Sequence, residues 1–334
     1  MVRHLPEPVG GPAAWRGSEI VGRAEWMVRL ADGEVAELRA AVATLGRPGL
    51  RLAEVGPDDL ALPGLGERLA GLLDELVDGR GFVLLRGLPD DLLGERTAEL
   101  TLWAVGVHLG IPIPQNARGE LIVHVRDEGK DYDDPHVRSY ETRAGLEYHS
   151  DSSDLVGLLC RRPARRGGVS TIVSAVAIHD ALARERPELA ALLHEPWWHD
   201  RRTGDGPESF FACEICALAG GRLFTHYGRA YTESAQRGPG VPALRPEQVE
   251  ALDAYDRLAS SPELVLDMAF EPGDLQILNN YTVLHARTPY EDWPDPGRRR
   301  DLCRIWLVLR RPLQLPPAFE AGGIVRRSVA FGPP

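Results

Sequence analysis

The sequence predicts a mostly β core, a double-stranded β-helix (jelly-roll) barrel flanked and elaborated by helices. Three observations predict it. The last third of the chain is a run of short apolar segments, "ELVLDMAF", "LQILNN", "TVLHAR" and "LCRIWLVLR", separated by turn signals such as the Pro-Gly of "EPGD". Helical patterns precede these segments and interrupt them. The 334 residues are 43% hydrophobic and 26% charged, enough for one large core, and no repeat or low-complexity block divides the chain.

Taken in order, residues 34–45 place Val35, Leu38, Val42 and Leu45 at helical spacing, with Asp32 as the expected N-cap. Residues 66–77 repeat the pattern; Gly79 and Gly81 then stop the helix, and "FVLLRG" at 82–87 reads as a buried strand. A helix over 90–109 and a strand at "LIVHV" follow. The segment 126–145 is too polar for a core, and a loop of this length in a compact domain suits a lid. Beyond it come a strand through Cys160, a Gly167-Gly168 turn, a strand at 170–174, and helices at 175–193 and 246–260. The expected organisation is an N-terminal helical extension over 1–65 that packs on the core. Residues 66–334 then form a single jelly-roll domain with a helical insertion at about 175–265.

A formal charge of -11 argues against nucleic acid or an anionic membrane as partner, since both are bound through dense basic patches. No segment approaches the ~20 apolar residues of a membrane span and the N-terminus has no apolar signal region, so the expected location is the cytoplasm. Four cysteines, Cys160, Cys213, Cys216 and Cys303, fit a reducing compartment. The lone "CEIC" lacks the second ligand pair of a zinc ribbon and reads as packing, with "WWHD" at 197–200 as a surface-to-core corner. P-loop, dinucleotide and nucleophile-elbow motifs are absent. The expected partner is a small-molecule substrate, and homo-oligomerisation stays open.

The chemistry gathers around "EYHSDSSD", residues 147–154. On a strand, His149 and Asp151 at i and i+2 project from one face. A third ligand must come from elsewhere. Of the ten histidines, His179 and His194 read as helix surface, whereas His285 lies near the end of a strand that follows a tight turn. Two histidines and one carboxylate on one face of an octahedron are the pattern of non-haem Fe(II) oxygenases. Arg300 and Arg304 follow His285 by 15 and 19 residues and share a strand face with Leu302 and Trp306. A guanidinium on an inward face suits a carboxylate, and Thr171 offers a hydroxyl beside it. Two rivals use the same residues: a zinc hydrolase, for which no "HExxH" general-base pattern is present, and a non-catalytic jelly-roll binding protein.

The ordered motifs "HSD" (149–151), "GGVST" (167–171), "PGDLQILNNYTVLHARTPYED" (272–292) and "RRDLCRIWL" (299–307) resemble the taurine dioxygenase (TauD/TfdA) family of Fe(II)/2-oxoglutarate-dependent dioxygenases. The resemblance covers about residues 70–312. It implies that His149, Asp151 and His285 bind Fe(II), the catalytic centre. It also implies that Thr171 and Arg300 hold the far carboxylate of 2-oxoglutarate, while Arg304 matches a second family arginine that faces anionic substrates. The loop "DWPDPGRR" leaves open which arginine takes which role, so Arg304 is also a co-substrate candidate. The implied reaction consumes O2, releases succinate and CO2, and oxidises a substrate C–H bond. Because related halogenases replace the carboxylate ligand with a small residue, Asp151 points to hydroxylation, with desaturation or cyclisation as alternatives. Tyr148, Asn116, Asn280, Arg287 and Arg304 are the candidate substrate contacts, although Asn279-Asn280 reads as a turn first. Gly145 stands where the taurine enzyme carries a substrate-binding side chain, so the expected substrate is another small polar molecule. An amino acid or a natural-product intermediate carrying a carboxylate fits best.

Overall fold

The computed structural model describes residues 5–116, 118–130, 139–202 and 206–321. The middle of the loop read as a lid, 131–138, lies outside them. Four long antiparallel strands, in the order Phe82–Arg86, Leu275–Asn279, Leu155–Arg162 and Asp301–Val308, form the centre of a seven-stranded sheet. Met27–Arg29 runs parallel along one edge, and Ile111–Pro112 and Ile122–Val125 both pair with Asp301–Val308. A four-stranded antiparallel sheet has the order Leu266–Met268, Ser170–Ser174, Val283–Arg287 and Leu146–His149.

Alternation along these strands sorts side chains into layers. Phe82, Leu84, Val156 and Leu158 of the large sheet meet Ile172, Leu266, Met268 and Val283 of the small one in a shared apolar layer. The intervening residues Val83, Leu85, Leu159, Ile305 and Leu307 pack outward against helices Asp32–Leu45, Pro63–Val77 and Glu95–Leu109. Behind the small sheet, Val173 and Leu284 meet helices Ala175–Glu185, Pro187–Leu193 and Pro246–Ala259. Both sheets are therefore covered on both faces, which is why their strands read as unbroken apolar runs. Leu38, Leu65, Leu69 and Leu76 are fully buried, each contributing roughly 2 kcal/mol of transfer free energy.

Several element ends differ from expectation for physical reasons. Asp32 is the first helical residue; the N-cap is Ala31, whose N–H donates to the carboxylate of Glu34 at 2.7 Å. The next helix starts at Pro63, and its Gly64 and Leu65 N–H groups donate to Glu37 of the preceding helix, both at 2.9 Å. Pro187, which cannot donate and crowds the preceding turn, splits the helix expected over 175–193 in two. The insertion read as helical also carries two hairpins, Pro196–Asp200 with Phe210–Glu214, and Cys216–Ala219 with Arg222–Thr225. Trp197 and both cysteines of "CEIC" are buried there, so "WWHD" is a strand and no corner. His179, expected on a helix surface, is fully buried, its Nε2 3.0 Å from that of His194.

The turn at "EPGD" shows how tightly the strands are joined. Gly273 has φ +87°, and a Cβ there would sit 2.2 Å from the Leu88 carbonyl oxygen, a backbone atom that cannot swing aside. Gly273→Ala is expected to cost roughly 2 kcal/mol or more, read as a lowered urea midpoint with unchanged slope. An unaltered midpoint contradicts this account of the turn.

Candidate active site

His285 is the third residue of Val283–Arg287 and stands directly across the strand pair from His149, the last residue of Leu146–His149. Their rings lie 4.3 Å apart between centroids. Asp151 is not aimed by strand alternation, because the strand ends at His149 and a turn carries the carboxylate in. That turn is pinned from two sides. The Ser150 N–H donates to Tyr227 O at 2.9 Å, and the Asp151 N–H donates to Asn280 Oδ1 at 3.0 Å. Asn280 Nδ2 in turn donates to the Ser153 carbonyl and hydroxyl at 3.0 and 2.9 Å, so both ends of this amide are spent on the turn. Asn280 is thus a support for the Asp151 turn.

His149 Nε2 and His285 Nε2 lie 3.9 and 3.7 Å from the Asp151 oxygens, too far for hydrogen bonds and suited to atoms that share one ion. The three ligand atoms all fall within 4.8 Å of one another. His149 Nδ1 is 2.7 Å from the Glu147 carbonyl, which fixes the proton on that nitrogen and leaves Nε2 with its lone pair free. Burial, reinforced by His149, pushes His285 down to about 3, so it is a neutral imidazole at physiological pH. Burial alone would raise the Asp151 carboxyl, but the charge of Arg304, with the Trp306 N–H, outweighs it and holds the carboxyl below its usual range. Two imidazoles and one carboxylate, their ligand atoms converging within 4.8 Å, fit a divalent transition metal.

The wall beside Asp151 comes from the inward face of Asp301–Val308. Trp306 Nε1 donates to Asp151 Oδ2 at 2.9 Å, and Arg304 Nη1 lies 3.4 Å from the same oxygen. Arg304 Nε donates to Gln115 Oε1 at 2.7 Å, and Gln115 Nε2 donates to the Arg304 and Leu121 carbonyls. Gln115 was missed in the sequence, where nothing marks it. Its neighbour Asn116, a candidate substrate contact, spends its amide on the local turn through Glu120 and the Arg118 N–H.

Arg300 is buried just before that strand, donating to the Val125 carbonyl at 3.2 Å, with its guanidinium 5.1 Å from the Tyr290 ring centroid. A Cβ on Gly168, whose φ is +67°, would lie 3.1 Å from Arg300 Nε, so the Gly167-Gly168 turn is bare where the arginine passes. Thr171 does not share this space. It pairs with Ala286 while Ser170 pairs with Arg287 and Ile172 with His285, and parity sends Thr171 to the helix-covered side. Tyr148 projects the same way, packing against the helical cluster and bonding Thr171. Ser170 is the hydroxyl on the His285 face, 3.3 Å from Gln276 Oε1. Arg287 is on that face as well; burial, then the charge of Arg300, pulls its guanidinium down to about 10.

The sequence profile of the taurine catabolism dioxygenase TauD, TfdA family matches residues 46–306, and the chain belongs to that family. It is a non-haem iron dioxygenase that uses Fe(II), 2-oxoglutarate and O2. Among individual proteins, it is 30% identical to FR-33289 synthase of Streptomyces rubellomurinus over 96% of each chain. It is 28% identical to a taurine hydroxylase-like protein of Stachybotrys chartarum, over 87% of this chain and 77% of that one. Its fold is that of an asparagine oxygenase solved with Fe(II), 3-hydroxyasparagine and succinate, with TM-score 0.67 and 18% identity over 88% of this chain and 98% of the other. The non-heme iron oxygenase OrfP, solved with Fe and alpha-ketoglutaric acid, gives TM-score 0.65 and 18% identity over 84% and 94%. No described helix is long and apolar enough to cross a membrane.

Trp306→Phe keeps the ring but removes the N–H that orients Asp151. It is expected to weaken Fe(II) binding by about 10–100-fold in anaerobic competition against a chromophoric chelator, with the circular dichroism spectrum unchanged. Wild-type affinity in this variant contradicts the orienting role.

Proposed function

We propose that the enzyme hydroxylates an unactivated C–H bond of a small polar molecule carrying a carboxylate, such as an amino acid or a natural-product intermediate. The observation that carries this reading is the cation Arg304, whose Nη1 lies 3.4 Å from the carboxylate of Asp151 in the candidate ligand set. A carboxylate in that position leaves no place for a halide, and the guanidinium offers a fixed partner for an anionic substrate. The asparagine and arginine derivatives held by the structural neighbours support an amino-acid-like substrate.

His149, Asp151 and His285 would hold the iron by one face, leaving the other side for co-substrate and O2. Bound iron supplies the coupling of 2-oxoglutarate decarboxylation to C–H oxidation. The chain's own work is positioning. Arg300, with Ser170 in place of Thr171, would receive the far carboxylate of 2-oxoglutarate. Trp306 holds the Asp151 carboxylate, Asn280 holds its backbone, and the apolar layer around Ile172 and Val283 excludes water. The two facing sheets are read as the halves of a jelly-roll barrel. Residues 1–65 are read as an extension of the same catalytic domain, supported by Val35, Leu38 and Leu45 sharing a core with Leu69, Leu85 and Ile305. Buried free cysteines support a cytoplasmic location.

Anaerobic protein with Fe(II) and 2-oxoglutarate is expected to show a weak visible charge-transfer band that is lost in His285→Ala. Screening amino acids and related acids for stimulated succinate release is then expected to find a substrate whose product is heavier by one oxygen. A product lighter by two hydrogens instead establishes desaturation or ring closure, and no band in the wild type overturns the reading.

A further inference from the structure

Arg287 is two residues beyond His285 and directly across the strand pair from Ser170. Its side chain is buried, with 5% of the residue exposed. Nη2 donates to the Thr142 carbonyl at 2.9 Å and to the Ala144 carbonyl, tying down the segment that leads into His149. The other edge of the fork is different. Nε and Nη1 are buried with no hydrogen-bond partner among the described residues. The Arg287 and Arg300 guanidinium carbons lie 4.9 and 5.1 Å from the centroid of one ring, that of Tyr290.

Two buried guanidiniums thus flank one aromatic ring, and neither is ion-paired to a carboxylate among the described residues. The ring faces attract cations, but they do not satisfy in-plane N–H donors. An uncompensated buried cation is unfavourable, and a pair of them repel each other, so the arrangement calls for an anion between them. The sequence alone suggested that Arg287 meets the substrate. Its register with Ser170 and its shared ring with Arg300 put it at the co-substrate instead.

Resting on the co-substrate pocket proposed above, we infer that Arg287 is a second arginine for the far carboxylate of 2-oxoglutarate, which it grips through its free Nε–Nη1 edge opposite Arg300. The same side chain holds the backbone at Thr142 and Ala144, so a seated co-substrate braces the segment that enters His149. A 2-oxo acid without a far carboxylate gains nothing from either arginine.

The test is calorimetric titration of the anaerobic Fe(II)-loaded protein with 2-oxoglutarate and with 2-oxopentanoate, which has the same chain length and lacks the second carboxylate. Arg287→Lys, which keeps the charge and loses the fork, is expected to raise the Kd for 2-oxoglutarate about tenfold or more, and Arg287→Gln further. The weak binding of 2-oxopentanoate is expected to shift by less than about twofold. If Arg287→Gln fails to fold, Arg287→Lys decides the matter. Wild-type affinity for 2-oxoglutarate in the Arg287 variants, with Arg300→Gln impaired, overturns the inference and leaves the pocket standing. Equal weakening of both ligands overturns it too, since it marks a purely structural arginine. A wild type that does not bind 2-oxoglutarate, or an Arg300→Gln variant that binds normally, removes the pocket and the inference together.

Discussion

The cross-strand pairing of His285 with His149 is the constraint on which the site depends. A strand has period two, so a slip of one residue would turn His285 to the helix-covered side and bring Leu284 or Ala286 to the centre. The register is held from both directions. Val283 faces the apolar layer between the sheets and Leu284 faces the helices, so neither can exchange places without exposing a buried side chain to the wrong neighbours. The geometry of the ligands follows from the packing of the residues beside them.

Asp151 needs a different device, because it stands outside the strand. Its turn is held by Asn280, its carboxylate by Trp306, and its charge by Arg304; the first follows strand Leu275–Asn279 and the other two lie on strand Asp301–Val308 of the large sheet. The site is therefore a joint between the two sheets. Separating them would cost the ligand set as well as the core. Arg304 is itself held by Gln115, so the cation beside Asp151 is preorganised before any substrate arrives.

Much of this was legible in the sequence where chemistry is carried by residue type. His149, Asp151 and His285 stand out as ligands, and Arg300 and Arg304 stand out because a charge next to Trp306 on an inward face is unusual. What was not legible depends on parity and on long-range contacts. Thr171 and Ser170 are both hydroxyls in "GGVST", and only the pairing of Ser170 with Arg287 and of Thr171 with Ala286 shows which one shares the face of His285. Asn280 looked polar and available, but its amide is consumed by Asp151 and Ser153, partners 127 or more residues away. Glu37 capping a later helix, and Gln115 holding Arg304, have no local signal at all. His179 was placed on a surface although its helix is apolar around most of its circumference, a sign that it is buried on every side. Gly220-Gly221 marked the second hairpin as a turn signal, both with positive φ, between segments too short to read as strands.

We propose that the inward faces of the two sheets build a single cavity with iron at His149, Asp151 and His285 and the far carboxylate of 2-oxoglutarate between Arg300 and the Ser170 strand. A crystal structure of the anaerobic complex with Fe(II) and 2-oxoglutarate tests it most directly. The expected result is one iron in bonding contact with both Nε2 atoms and Asp151, and the far carboxylate against the Arg300 guanidinium. Iron bound elsewhere, or 2-oxoglutarate lying with its far carboxylate away from Arg300, would contradict it.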